Sequence, residues 1–294
     1  MDTLQKTIGK PAECSGTGMF RGESVRIAFK PAPANSGINF VRVDLPHRPK
    51  IPANVHFLSS TVKRVFLKKE DAEVEGIEHL MAALAGLGID NLEIEIHGRE
   101  VPAGDGSAKY FMDVLREAKI VNLDGKKQIF KIQEPITVIN GKASIVALPH
   151  DEGLFFSYTL DFDGFFIEQQ TYEMEFNEEI FSREVASART FGLSTYVEEF
   201  KKMGLGKGIT DENSFIIHED GKITKPLSMN PAELRFPNEH VRHKILDLIG
   251  DLYLANVGIQ GHIVAKRSGH SLNVELARKI ANISHLKRKM LNSD

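Results

Sequence analysis

The sequence predicts an α+β fold, and three observations carry that expectation. Strand-like runs of apolar and β-branched residues crowd the first half. Similar runs return in the second half, from residue 136 onward. Segments with helical apolar spacing occur in both halves, most clearly at 76–87 and 239–255. A chain of 294 residues suits one large domain or two modest ones.

Taken in order, residues 38–43, 62–67 and 92–96 read as strands. Residues 76–87 read as a helix. Ile77, Leu80, Met81, Leu84 and Leu87 recur at helical spacing, and Gly86 and Gly88 supply stop signals. Pro102-Ala103-Gly104-Asp105-Gly106-Ser107 reads as a loop, with Asp105 or Ser107 as N-cap of a helix reaching Leu115. Residues 121–127 are polar and turn-rich. They are the expected linker between a domain of residues 1–125 and one of residues 126–294.

In the second half, strands at 136–139 and 143–148 flank Asn140-Gly141, a hairpin signal. Strands at 154–160 and 171–176 follow, then helices at 178–186 and 194–202. Gly204-Leu205-Gly206-Lys207-Gly208 is a glycine-rich loop without the Gly-Lys-Ser/Thr ending of a phosphate-binding loop. A strand at 215–217, a helix at 239–255, a strand at 258–265 and a helix from Leu272 complete the chain. No internal repeat is visible.

The net charge of -3 argues against a nucleic-acid partner. His285-Leu286-Lys287-Arg288-Lys289 reads as a solvated helix end. Cys14 is the only cysteine, so no intrachain disulfide can form and a reducing compartment fits. The first six residues lack the apolar core of a signal peptide. The longest apolar run, 80–89, is too short to span a bilayer. A cytoplasmic protein with no integral membrane segment is expected.

The most informative segment is Val241-Arg242-His243-Lys244-Ile245-Leu246-Asp247-Leu248-Ile249-Gly250-Asp251. On a helix, His243, Asp247 and Asp251 fall at i, i+4 and i+8 on one face. Apolar Ile245, Leu248, Ile249 and Leu252 flank that stripe. An imidazole and a carboxylate at i, i+4 can share one metal ion, and a third ligand from elsewhere would leave a position open for water. A capped helix with a buried His–Asp pair fits this window equally well.

Three further islands carry polar groups. Gly76-Ile77-Glu78-His79-Leu80 sets a carboxylate beside an imidazole. At a helix start that opens into a cleft, one could ligate a metal and the other address its water. An exposed Glu beside a packed His is the plainer alternative. Arg267-Ser268-Gly269-His270-Ser271 places a His at a strand-to-helix turn, where catalytic groups and simple caps both occur. Ala188-Arg189-Thr190-Phe191-Gly192 is, by itself, an ordinary loop.

Together these islands resemble one family. Glu78-His79-Leu80-Met81-Ala82-Ala83-Leu84-Ala85-Gly86-Leu87-Gly88-Ile89-Asp90-Asn91 is similar to the signature helix of the UDP-3-O-acyl-N-acetylglucosamine deacetylases, zinc amidases of lipid A biosynthesis. The resemblance extends to Pro31-Ala32-Pro33-Ala34-Asn35-Ser36-Gly37, to the segments around Thr190 and His243, and to Ser268-Gly269-His270-Ser271-Leu272-Asn273. It covers roughly residues 4–284, with its motifs in the family's order.

The resemblance implies two α+β domains, each a sheet packed on helices, with the active site between them. Each domain would carry an insert, and the second insert would form a passage for the substrate's acyl chain. It implies one Zn2+ held by His79, His243 and Asp247. Glu78 would be the general base. His270, with Asp251 as its carboxylate partner, and Thr190 would serve the oxyanion and the leaving amine. Lys244, Phe162 and Phe191 would bind substrate, a UDP-linked acylated amino sugar, in a monomer.

Four departures stand out. Phe20-Arg21 replaces the family's usual His followed by Ser or Thr. Ala103-Gly104 replaces bulkier apolar residues. Gly164-Phe165 stands where His-Pro is common, and Ile209-Thr210 where Gly-Ser is common. None removes a zinc ligand or the base. The competing readings are a zinc deacetylase acting on another N-acetylated sugar and a binding protein that kept the scaffold.

Overall fold

Alternation of buried and exposed side chains makes the first sheet two-faced. The computed structural model describes residues 3–60, 63–165 and 168–291. It opens with β1 (Leu4–Ile8), β2 (Ala12–Thr17), β3 (Ser24–Pro31), β4 (Ile38–Arg42) and β5 (Lys50–Pro52). In β3, Val25, Ile27 and Phe29 are buried while Ser24 and Arg26 face solvent. The short strands β6 (Leu58–Ser60), β7 (Phe66–Lys69) and β8 (Ala72–Glu75) follow. Then come α1 (Glu78–Leu87), β9 (Leu92–His97) and α2 (Lys109–Glu117).

The second half contains β10 (Ile120–Lys126), β11 (Ile129–Lys131), β12 (Ile136–Asn140), β13 (Ala143–Leu148), β14 (Leu154–Leu160) and β15 (Gln170–Glu175). Next are α3 (Glu178–Glu184), β16 (Thr190–Leu193), α4 (Ser194–Lys202), β17 (Ser214–Ile217) and β18 (Ile223–Thr224). The chain closes with α5 (Glu239–Tyr253), β19 (Gly258–Lys266) and α6 (His270–Leu291).

The α+β class is as expected, but the absence of a repeat is not. The main sheets run β2-β3-β9-β4-β5 and β12-β13-β19-β14-β15, one strand for one strand. The strand senses match too. β9 is antiparallel to β3 and parallel to β4, and β19 is antiparallel to β13 and parallel to β14. A three-stranded sheet interrupts each unit before its helix, β6-β7-β8 in one and β16-β17-β18 in the other. The two units share strand order and sense, and no repeat is visible in the sequence to mark it.

Residues 120–126 are not the expected linker. They form β10, antiparallel to β1. Asn122, Asp124 and Gly125 look like turn residues, but they lie in a two-stranded ribbon, where the Gln5 side chain also donates to the Lys126 carbonyl at 3.1 Å. The strand expected at 62–67 begins at Phe66, after a bend, and Val62 lies outside the described residues. Gly86 does not stop α1. It sits inside the helix, where an added Cβ would come within 2.2 Å of the Phe181 ring. Gly88 is the true C-cap, in the left-handed region at φ 67°. Strands β1 to β3 carry polar residues throughout, so no long apolar run in the sequence marks them. The last helix begins two residues early, at His270.

The helices α1 and α5 pack together at the centre of one continuous apolar core. The contact is backbone to backbone. A Cβ on Gly250 would lie 2.1 Å from the carbonyl oxygen of Glu78 and 3.1 Å from the nitrogen of Ala82. Gly250 costs helix propensity, yet nothing larger fits there. Among the described residues, no helix is long and apolar enough to cross a membrane. Gly250→Ala should force the helices apart and destabilise the fold by about 1–3 kcal/mol, the usual scale for an overfilled core. Thermal unfolding checks this; an unchanged Tm would show that the helices do not depend on that approach.

Candidate metal centre and catalytic cleft

Four elements bring the polar residues together. Glu78 and His79 open α1, His243, Asp247 and Asp251 line one face of α5, His270 opens α6, and Thr190 opens β16. The ligating atoms of His79, His243 and Asp247 lie within 4.8 Å of one another. Asp247 Oδ1 is 3.3 Å from His243 Nε2 and 3.7 Å from His79 Nε2. The two imidazole rings meet edge to face, 5.0 Å between centroids.

Two of the three candidate ligands are arranged as a metal would need them. His243 Nδ1–H donates to the Ala188 carbonyl at 3.0 Å, so the lone pair sits on Nε2, toward Asp247. Burial holds His243 neutral, with its pKa brought down to about 4. Burial alone would raise the Asp247 pKa. The electrostatic pull of neighbouring His243 and Lys244 and a hydrogen bond from His79 outweigh it and keep that carboxyl well below its ordinary range. Two imidazole nitrogens and one carboxylate oxygen, converging from buried and half-buried positions, fit a divalent metal that takes mixed nitrogen and oxygen ligands.

The acid–base groups flank this set. Glu78 is buried, and burial raises its pKa above the ordinary carboxylate value, against the opposing pull of His270 and His79. The Val65 N–H donates to its Oε2 at 3.2 Å, and its Oε1 is 4.0 Å from His270 Nε2. His270 Nδ1–H donates to Asp251 Oδ2 at 2.9 Å. Burial would lower the His270 pKa, but the Asp251 carboxylate carries it up to about 9. A carboxyl poised upward and an imidazolium poised upward are what one base and one acid need near neutral pH.

A protein-family model for UDP-3-O-acyl N-acetylglycosamine deacetylase matches residues 5–282. The chain belongs to this family. It is similar to the UDP-3-O-acyl-N-acetylglucosamine deacetylase of Trichormus variabilis, at 41% identity over 96% of this chain and 99% of that protein. It is also similar to those of Myxococcus xanthus, at 39% over 94% and 86%, and Bdellovibrio bacteriovorus, at 38% over 94% and 89%.

The remaining site residues of this family member divide between two spaces. Thr190 joins Glu78, His79, Asp247 and His270 around one small cleft. Phe162 and Lys244 line a separate cavity of about 620 Å³, with Lys142, Tyr158, Phe165 and Arg267. Lys244 bridges the two spaces. Its Nζ donates to Asp247 Oδ2 at 2.6 Å, and the nearby carboxylates raise its pKa despite burial. Phe191 stacks on Phe215 at 5.6 Å and meets the edges of Phe162 and His243, so its contacts here are with the metal ligand's surroundings.

Several supporting residues gave no functional signal in the sequence. Asn273 is fully buried and donates to Asp251 Oδ2 at 2.8 Å, doubling the hold on the partner of His270. Buried Arg189 grips Glu239 through Nε at 2.9 Å and Nη2 at 3.1 Å. That pair ties the segment bearing Ala188, Thr190 and Phe191 to the first turn of α5. Arg267 is held by Asp161 and Asp163. Asn273 and Arg189 lay inside quoted motifs, but a side chain that acts through a neighbour has no signature of its own.

Asp251→Asn should remove the charge that keeps His270 protonated. The His270 pKa then falls, and the alkaline limb of the pH–rate profile moves below its position near pH 9. An unmoved limb would make the pair purely structural.

Proposed function

We propose that this chain hydrolyses the N-acetyl amide of a UDP-linked, 3-O-acylated N-acetylglucosamine, a step of lipid A biosynthesis, with zinc held by His79, His243 and Asp247. Residues 1–125 would supply His79 and Glu78, and residues 126–294 the other two ligands. The proposed setting is cytoplasmic and the proposed form a monomer. The observation that carries the proposal is the convergence of the metal-competent triad, Glu78 and the His270–Asp251 pair on one cleft.

Zinc in that position supplies Lewis-acid polarisation of the amide carbonyl and of a water molecule. Glu78 takes the proton that the attacking water gives up. Its raised pKa makes it a stronger base than an exposed carboxylate. His270 enters charged, stabilises the developing oxyanion and gives its proton to the leaving amine nitrogen. Asp251 holds the ring in position and keeps the charge on it. The Thr190 hydroxyl adds a second donor to the oxyanion.

The larger cavity suits the nucleotide end. Phe162 offers a ring for the uracil; Lys142, Lys244 and Arg267 line the same cavity, each paired with a carboxylate (Asp163, Asp247, and Asp161 with Asp163) that a diphosphate would have to displace. Phe165, at one departure from the family pattern, lies 6.1 Å from Phe162 and extends the aromatic surface. The acyl chain would run through the insert between Phe191 and Ile217, built by β16, α4 and β17. Each buried methylene there is worth about 0.8 kcal/mol.

Acetate release from the 3-O-acylated substrate should be abolished by a chelator, restored by zinc, and much faster than from unacylated UDP-N-acetylglucosamine. Release that survives metal removal would overturn the metal role. Indifference to the acyl chain would overturn the substrate while leaving the amidase chemistry. Glu78→Ala should keep its metal and lose about two or more orders of magnitude in rate. Loss of metal in that variant would make Glu78 a ligand instead.

A further inference from the structure

We propose that Phe20 sets the size of the N-acyl group this chain accepts, and that Glu100 and the glycine-rich loop at 204–208 hold it in place. The inference rests on the amidase reading above. The catalytic cleft has two unlike walls. One carries Glu78, His79, Thr190, Asp247 and His270. The other carries Met19, Phe20, Val101, Pro102 and Ala103, and Lys63, Gly76 and Glu100 complete the lining. The oxygen and nitrogen of an amide held there need the polar wall, where donors and acceptors stand. The third substituent on the carbonyl carbon, the acyl tail, is thereby turned toward the apolar wall. The cleft's volume of about 50 Å³ is on the order of one or two water-sized groups. Such a narrow cleft leaves little room beyond the amide itself, so a bulky side chain on its lining can set the length of acyl tail that enters. Phe20 is the bulkiest side chain on that wall.

Its position is fixed from three sides. Beneath it, the N–H groups of Phe20 and Arg21 donate to the two oxygens of buried Glu100, at 2.7 and 2.9 Å. Beside it, the Arg64 guanidinium lies 4.2 Å from the ring centroid, and Phe200 of α4 meets the ring at 6.3 Å. Across from it, Gly208 N–H donates to the Met19 carbonyl at 3.0 Å and Lys207 N–H to the Phe20 carbonyl at 3.2 Å. This crossing of two loops requires glycine. A Cβ on Gly208 would lie 2.1 Å from the Gly18 oxygen, and one on Gly18 would lie 2.4 Å from Glu100 Oε2. The glycine-rich loop therefore serves a close backbone crossing rather than a phosphate.

The test measures specificity constants on the N-acetyl, N-propionyl and N-butyryl forms of the 3-O-acylated UDP-glucosamine substrate, with metal content determined alongside. Phe20→Ala should raise the propionyl-to-acetyl ratio by about 10-fold or more, within the range by which a pocket discriminates one methylene. Phe20→Leu, a milder change, should raise it less. Glu100→Gln replaces one acceptor oxygen by a donor and should move the ratio the same way with the metal retained. A variant that is only less stable loses all three substrates in proportion, so the ratio separates positioning from folding. An unchanged ratio in active Phe20→Leu and Phe20→Ala chains would overturn the assignment of Phe20 alone. No acetate release by the unaltered chain would overturn the amidase reading along with it.

Discussion

The approach of α5 to α1 at Gly250 is the constraint on which the site depends. It lets a helix of the second half rest directly on the first turn of a helix of the first half. Asp247 and Asp251 lie within one turn on either side of Gly250, and Glu78 and His79 form the turn it touches. The proposed metal-ligand set thus straddles a helix contact whose geometry has little slack. Ala82, whose backbone nitrogen also lies near Gly250, is on the same face of α1 as Glu78.

Electrostatics then divide the labour among buried carboxylates that would otherwise repel. Asp247 is drawn toward the charged state by His243 and Lys244, as a metal ligand must be. Asp251 is committed to His270 and Asn273. Glu78 receives a single backbone N–H and is left with a raised pKa. Three acids, one opening α1 and two a turn apart on α5, are suited to three roles because their partners differ. Burial, which penalises every charge here, makes each partner decisive.

Much of this was legible in the sequence. The i, i+4 spacing of His243 and Asp247 belongs to a helix whose period is fixed by the backbone, so their shared direction could be read directly. The Glu78-His79 pair and His270 sit at helix starts that the apolar periodicity located to within two residues. What joins them in space was not legible from spacing and came from resemblance to a family. The duplicated sheet topology was hidden because a strand needs only alternation, which many sequences satisfy. Strand β10 was read as a linker because local composition gives no sign of pairing with β1, more than a hundred residues away. The roles of Glu100, Asn273 and Gly208 depend on contacts between distant segments, which no local pattern records.

The central claim is that one metal ion sits between α1 and α5 on His79, His243 and Asp247. Diffraction from crystals grown with saturating zinc, with data collected on both sides of the zinc absorption edge, tests it most directly. The account expects one strong anomalous peak between His79 Nε2, His243 Nε2 and Asp247 Oδ1. A peak elsewhere, or none at that point, would contradict it.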